Sequence, residues 1–201
     1  LEHTVIEEAH KLMHSHHIKT VQYDLGDDLG MQCGGHIKVY YEAINVSPRL
    51  IIFGAGHIGK VLSELALPFG FDVTLVDNRE ELVSGNWGKA NFIIKDFMEA
   101  CHDIEFRSDD FIVVTTYKHL YDEEIVAYIL SQPHAYLGMM ASKRKAALAQ
   151  KKWLGKGLAQ EAIDQVFSPI GIPIKCETPR EIALSIIAQI VDEFNKKRST
   201  E

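Results

Sequence analysis

Cysteine is scarce in this 201-residue chain, and the few copies are scattered. Cys33, Cys101 and Cys176 are the three, far apart and without a C-x-x-C pair. An odd, dispersed set argues against a disulfide-built fold and reads as a cytoplasmic protein. Long hydrophobic runs are missing too. No apolar stretch approaches the roughly 20 residues needed to span a bilayer, so no membrane role is expected. Positive charge is in deficit: 21 Lys and Arg face 28 Asp and Glu, a formal net charge of −7. That excludes a strongly basic face, and no nucleic-acid partner is expected. The opening residues, LEHTVIEEAHK, mix acidic residues and histidines with apolar ones, unlike a signal peptide. The chain opens on Leu1 rather than methionine, which reads as a fragment or a processed form.

A hydrophobic content of 46% and a charged content of 24% suit one α/β core with a small extra element. From Leu1 to about His14, Val5, Ile6, Ala9, Leu12 and Met13 recur at helical spacing. IKTVQYDL, the turn-rich GDDLG and then HIKVYYEAI (His36 to Ile44) read as two strands of a hairpin. Ser47-Pro48 breaks the pattern, and two domains are expected: a helix-hairpin element over 1–46 and a Rossmann-like domain over 49–201. In the second, the runs RLIIFG, FDVTLVD, NFIIK, FIVVTT and HAYLGMM predict strands. Helices are predicted up to about Phe69, over Asp122 to Leu130, from near Ser142, over Leu158 to Val166, and from Pro179 to Lys197. Nearly continuous apolar strands alternating with helices predict a doubly wound parallel sheet, with a small and incomplete α+β element before it.

IIFGAGHIGKVL places Gly54, Gly56 and Gly59 in the G-x-G-x-x-G spacing, after a strand and opening a helix. Gly54 suits the tight turn, Gly56 lets backbone approach a pyrophosphate, and Gly59 allows close helix packing. The helix start then offers unpaired N–H groups to an anion. Asp77 ends the next strand a little over twenty residues on, where a carboxylate can accept from adenosine ribose hydroxyls and favour NAD. Arg79 nearby pulls the other way, since it could hold a 2′-phosphate. His57 and Thr115 complete this part of the candidate cofactor-binding set.

Three further clusters stand out. TTYKHLYDEE follows the FIVVTT strand, at the sheet end where open α/β folds bind ligands. There Tyr117, Lys118, His119 and Asp122 could line a cleft, His119 and Asp122 being candidates for proton transfer. Against that, Asp122 could simply start a helix and His119 be a surface residue. In GMMASKRKAAL, Ser142 is placed as an N-cap, and Lys143, Arg144 and Lys145 fill the first helical turn against the helix dipole. A bound anion, with Arg144 as its fork, would account for that arrangement, and so would a solvated basic turn. Cys33 precedes two glycines, which suits either a reactive thiol or a plain turn. His10, His14 and His17 flank an apolar helix face with no further ligand beside them, so no metal site is expected.

Taken together, CGGHIKVYYE, LIIFGAGHIG with VTLVDNRE, TYKHLYD, YLGMMASKRK and SPIGIPIKCETPREIALSIIAQIV resemble the XdhC/CoxI family, in the same order along nearly the whole chain. These are accessory proteins for molybdenum hydroxylases such as xanthine dehydrogenase. The resemblance implies a chaperone that binds molybdenum cofactor transiently, presents it for sulfuration by a sulfurtransferase, and hands it to an apo-hydroxylase. It implies no catalysis of the chain's own. The pterin phosphate or pyrophosphate would then sit on the glycine turn and Ser142–Arg144, with Cys33 hypothesised near the molybdenum. A homodimer is expected on the ground that so small a carrier must shield its ligand. The other readings are an NAD(P)-dependent oxidoreductase and a nucleotide-sensing Rossmann module. Relatives read close to T-H-D-H-x-x-D where Tyr117 and Lys118 stand here, and I-G-A where Lys175 and Cys176 stand. They also carry a Pro/Gly-rich segment ahead of the Leu-Glu that opens this chain.

Overall fold

The structure is a computed structural model that describes residues 1–12, 18–24, 35–42, 47–82, 84–85 and 87–200. The chain divides into two compact units, Leu1–Val46 with Lys197–Glu201, and Ser47–Lys196. In the first unit, α1 (Glu2–Leu12) precedes β1 (Ile18–Asp24) and β2 (His36–Glu42), which pair antiparallel from Ile18↔Glu42 to Asp24↔His36. The alternating residues of this hairpin leave Tyr23 and Tyr41 buried, their hydroxyls 2.8 Å apart. Phenols can bury in this way because each hydroxyl supplies the other's hydrogen-bond partner.

The second unit holds a five-stranded, all-parallel sheet in the order β5-β4-β3-β6-β7. Its strands are β3 (Arg49–Phe53), β4 (Asp72–Asp77), β5 (Asn91–Ile94), β6 (Phe111–Val114) and β7 (Tyr136–Met139). Side chains alternate between the two faces, so each strand feeds two cores. Ile51, Phe53, Ile112 and Val114 face one core with Phe97, Ile125, Ile129 and Trp153. Leu50, Ile52, Val73 and Val113 face the other with Leu62, Ile186, Ile187 and Ile190. Burial on both faces is why the sequence runs apolar without alternation, and it is the Rossmann-like arrangement expected from the pattern. Helices α2 (His57–Ala66) and α7 (Pro179–Thr200) cover one face, while α3 (Phe97–Asp103), α4 (His119–Ile129), α5 (Lys143–Gly155) and α6 (Gln160–Asp164) cover the other. No described helix is long and apolar enough to cross a membrane.

Several element limits differ from the sequence expectation for local reasons. α2 stops at Ala66 because Pro68 turns the chain into a 3₁₀ turn closed by left-handed Gly70 (φ 85°). α3 is a helix the periodicity does not announce, since it is only two turns long; Asp96 caps it by accepting from the Met98 and Glu99 N–H groups. The start of α7 is a reciprocal cap. Glu181 accepts from the Glu177 and Thr178 N–H groups at 2.6 and 2.8 Å, and Thr178 Oγ1 accepts from Glu181 N–H at 3.3 Å. Between α6 and α7, Phe167 runs beside β7 and extends the sheet by one bridge to Gly138. A Cβ on Gly138 would lie 2.4 Å from Ile170 Cδ1, so the Ile170 side chain would have to move to admit it.

Candidate functional site

After β5 the chain crosses to the far side of β3 to enter β6, so the strand order reverses between β3 and β6. Open α/β sheets bind ligands at the carboxyl ends of strands flanking such a reversal. The turn after β3 is Gly54-Ala55-Gly56, and it packs on its neighbours at backbone distance. Gly54 has φ 109°, and a Cβ there would sit 2.3 Å from the Thr115 carbonyl oxygen. Its N–H donates to the Val76 carbonyl at 2.8 Å, and the Thr115 N–H donates to that of Phe53 at 2.8 Å. A Cβ on Gly59 would meet the Gly54 carbonyl oxygen at 1.9 Å, so α2 rests directly on the turn. Gly56 differs from both. The nearest atom to a Cβ there is an Arg79 guanidinium nitrogen at 3.9 Å, so this corner is open. It is also the N-cap of α2 and has no side chain to satisfy the first helical N–H groups. His57 begins α2 with its side chain exposed.

Asp77 lies beneath this turn rather than at its rim. The carboxylate is fully buried. Its Oδ2 accepts from Ala55 N–H at 2.7 Å and from Arg79 Nη2 at 2.8 Å. Its Oδ1 accepts from Arg79 Nε at 2.8 Å and Arg79 N–H at 3.1 Å. Burial by itself would raise the Asp77 carboxyl, but the Arg79 guanidinium and the two backbone N–H groups together hold it below the ordinary carboxylate range. The bonds to Asp77 correspondingly raise the Arg79 guanidinium. The carboxylate expected at a ribose is therefore engaged by four donors and anchors the glycine turn from inside. Arg79 also stacks on Tyr117, its guanidinium carbon 4.8 Å from the ring centroid, and the Tyr117 hydroxyl donates to Asn78 Oδ1 at 3.1 Å.

The loop after β6 is held by Asp122, which is buried in α4. Its Oδ1 accepts from Thr116 N–H at 2.9 Å and Thr116 Oγ1 at 2.7 Å. In the described contacts Asp122 thus positions the Thr116–Lys118 loop, a role neither the helix-start nor the proton-transfer expectation contains. Buried Thr115 donates from Oγ1 to Met140 Sδ at 3.3 Å, which ties this loop to the segment after β7. There Ser142 caps α5 by accepting from Lys145 N–H at 3.3 Å, while Arg144 is exposed on the first turn. A cavity of about 200 Å³ lies alongside, lined by Asp122, Met139, Met140, Lys145 and Leu148 among others. The fold thus strings Gly54, Arg79, Thr115, Tyr117 and Met140 along neighbouring strand ends.

The sequence and the fold each find matches among known proteins. Residues 50–190 match the model of the XdhC Rossmann domain. The chain belongs to that family. The protein YqeB of Escherichia coli K12, itself uncharacterised, is 33% identical over 172 residues, which cover 84% of this chain and 31% of YqeB. A Bacillus subtilis protein named as a probable xanthine dehydrogenase subunit is 31% identical over 156 residues, 77% of this chain and 45% of that protein. A xanthine dehydrogenase from Bacillus halodurans has a crystal structure that superposes with a TM-score of 0.69 at 24% identity, over 89% of this chain and 51% of its own. That likeness concerns the fold. The chain spans between about a third and about a half of the length of these relatives.

Within the XdhC domain, Asn78, Thr116 and Met140 also shape the cleft, although sequence reasoning did not single them out. Asn78 stood in VTLVDNRE between two flagged residues, which was the available signal. Cys33, His14, His17 and the His119 side chain lie outside the described residues. Among the described residues, no group of three or more His, Cys, Asp or Glu side chains is placed to hold a metal ion.

Proposed function

We propose that this chain handles molybdenum cofactor for a xanthine-dehydrogenase-type hydroxylase: it binds the cofactor transiently and delivers it, after sulfuration, to the apo-enzyme. The observation that carries this reading is the open Gly56 corner. A helix start without a side-chain cap and a guanidinium flank it, in a chain of the XdhC Rossmann family. Backbone N–H groups and an arginine fork are the donors that suit a phosphate or pyrophosphate. The Bacillus subtilis relative, by its name a probable part of a xanthine dehydrogenase, supports the choice of client. Arg144 on α5 would bring a second cation to the ligand, and a homodimer would shield it. The partners in this scheme are the apo-hydroxylase and a sulfurtransferase. The cleft's own side chains hold loops: Asp122 binds Thr116, and Tyr117 binds Asn78. In this reading the chain acts as a carrier, and the chemistry belongs to its partners.

The test is cofactor retention. The full-length protein is produced in cells that make molybdenum cofactor, purified without oxygen, and oxidised to release fluorescent pterin. Near-stoichiometric pterin, falling several-fold in Arg144→Ala, is the expected result. Absence of pterin together with tight NAD(H) binding would overturn the proposal in favour of an oxidoreductase or a nucleotide sensor.

A further inference from the structure

The Asp77–Arg79 pair leaves the cleft with an unusual set of donors and acceptors. A ribose diol is recognised by a carboxylate that accepts from both hydroxyls. Here both Asp77 oxygens are already engaged, two bonds each, and the residue is fully buried. Arg79 is the outer partner, with 29% of its side chain exposed, and it stands between Asp77 and the open corner at Gly56. Its Nε and Nη2 are committed to Asp77. The nitrogen at the Gly56 corner is this same Nη2, which has a second N–H beyond its bond to Asp77, and among the described contacts Nη1 makes none, so one edge of the fork remains available. Tyr117 stacks on the guanidinium and helps fix its plane.

We propose that Arg79 sets the ligand class of this cleft: locked onto Asp77, it closes the carboxylate to an adenosine ribose diol and offers its free edge to a phosphate ester. The inference rests on the reading that the glycine turn holds an anionic ligand, and it names which anions are admitted. A planar fork with N–H groups to spare binds a phosphate dianion well and a neutral diol poorly. Two phosphate esters fit that chemistry, the phosphate of a pterin cofactor and the 2′-phosphate of a dinucleotide. NAD(H), which lacks the 2′-phosphate and presents a neutral ribose diol there, does not.

NADH and NADPH are titrated by fluorescence into the wild-type chain, Arg79→Gln and Arg79→Lys, and pterin retention is measured on the same three preparations. The wild type is expected to show little saturable NADH binding. Arg79→Gln frees Asp77 and should tighten NADH at least tenfold while weakening the phosphate-bearing ligand at least tenfold. Arg79→Lys keeps the charge without the fork and should fall between the two. Thermal melts check folding, and Arg79→Lys, which keeps a charge beside Asp77 while removing the fork, carries the test if Arg79→Gln does not fold. NADH binding equally tight in wild type and variants overturns the inference. The two readings fail separately. Pterin retained equally in all three proteins with unchanged NADH affinity would sink only the role of Arg79. A gain of NADH and loss of NADPH in Arg79→Gln without any pterin would support that role and sink the cofactor reading.

Discussion

Arg49 meets Asp110 at the amino ends of β3 and β6, and Arg79 meets Asp77 at the carboxyl end of β4. Both aspartates are fully buried, and both arginines grip them through Nε and a terminal nitrogen. The partners of the first pair lie 61 residues apart, those of the second only 2. Asp110 also accepts from Arg107 N–H, and its carbonyl takes the Ala135 and Tyr136 N–H groups, so it binds β3, β6 and β7 at one end. Asp77 instead anchors the glycine turn through Ala55 and holds an arginine at the mouth of the cleft. The same chemical pair therefore clamps strands at one end of the sheet and shapes the candidate cleft at the other. Sequence separation and the nature of the third partner distinguish the two roles.

The sharpest way to break this comparison is Arg49→Ala. It strands a carboxylate with no solvent exposure and should cost about 3–5 kcal/mol in urea unfolding, with ligand affinity per folded molecule unchanged. A loss of affinity there would show that the two ends are not separate in function. Gly59→Ala comes next. Its Cβ would be 1.9 Å from the Gly54 carbonyl, so the turn must move; about 1–3 kcal/mol of stability and most of the anion affinity should go. A variant that melts and binds as the parent does would mean that α2 does not rest on the turn.

Tyr117→Leu removes the ring beneath Arg79 and the bond to Asn78. About 0.5–1 kcal/mol is at stake for the cation–ring contact, visible as a small drop in melting temperature and a larger change in NADH against NADPH preference. The smallest effect concerns pH. The folded Asp77 carboxyl is held below its unfolded value of about 3.9. Its contribution is therefore present in full above that pH and is lost as pH falls through the lower folded value. Stability curves of wild type and Asp77→Asn should keep a constant separation above pH ~3.9 and draw together as pH falls below it through the folded value. Parallel curves at every pH would show that Asp77 adds no pH-dependent stability.

Much of the scaffold was legible in the residues. Runs such as RLIIF and FIVV are apolar throughout because both faces of a parallel sheet are covered, and that pattern needs no tertiary information. The glycine spacing located the turn. α3 escaped notice because two helical turns show little periodicity, although Asp96 followed by Glu99 was a capping signal. The start of α7 was written as T-P-R-E, a capping box with proline in the first turn.

The cleft was less legible. The sequence showed an acidic residue and an arginine two positions apart, and both a ribose-binding and a phosphate-binding outcome were open. Only packing shows that the carboxylate turns inward and the arginine lies outside it. Depth beneath the turn gave Asp77 the Ala55 N–H and a dry environment, in which a carboxylate requires a charged partner, and Arg79 was within reach. Asp122 likewise could not be assigned from its place in TTYKHLYDEE, because its acceptance from Thr116 depends on how the loop after β6 folds back. The chain by itself determined the strands, their burial on both faces and the position of the glycine turn, since these follow from local composition and spacing. Which carboxylate faces inward, and which cation is left facing the cleft, was decided by tertiary structure, because desolvation and hydrogen-bond partners exist only once the turn, β4 and β6 are packed together.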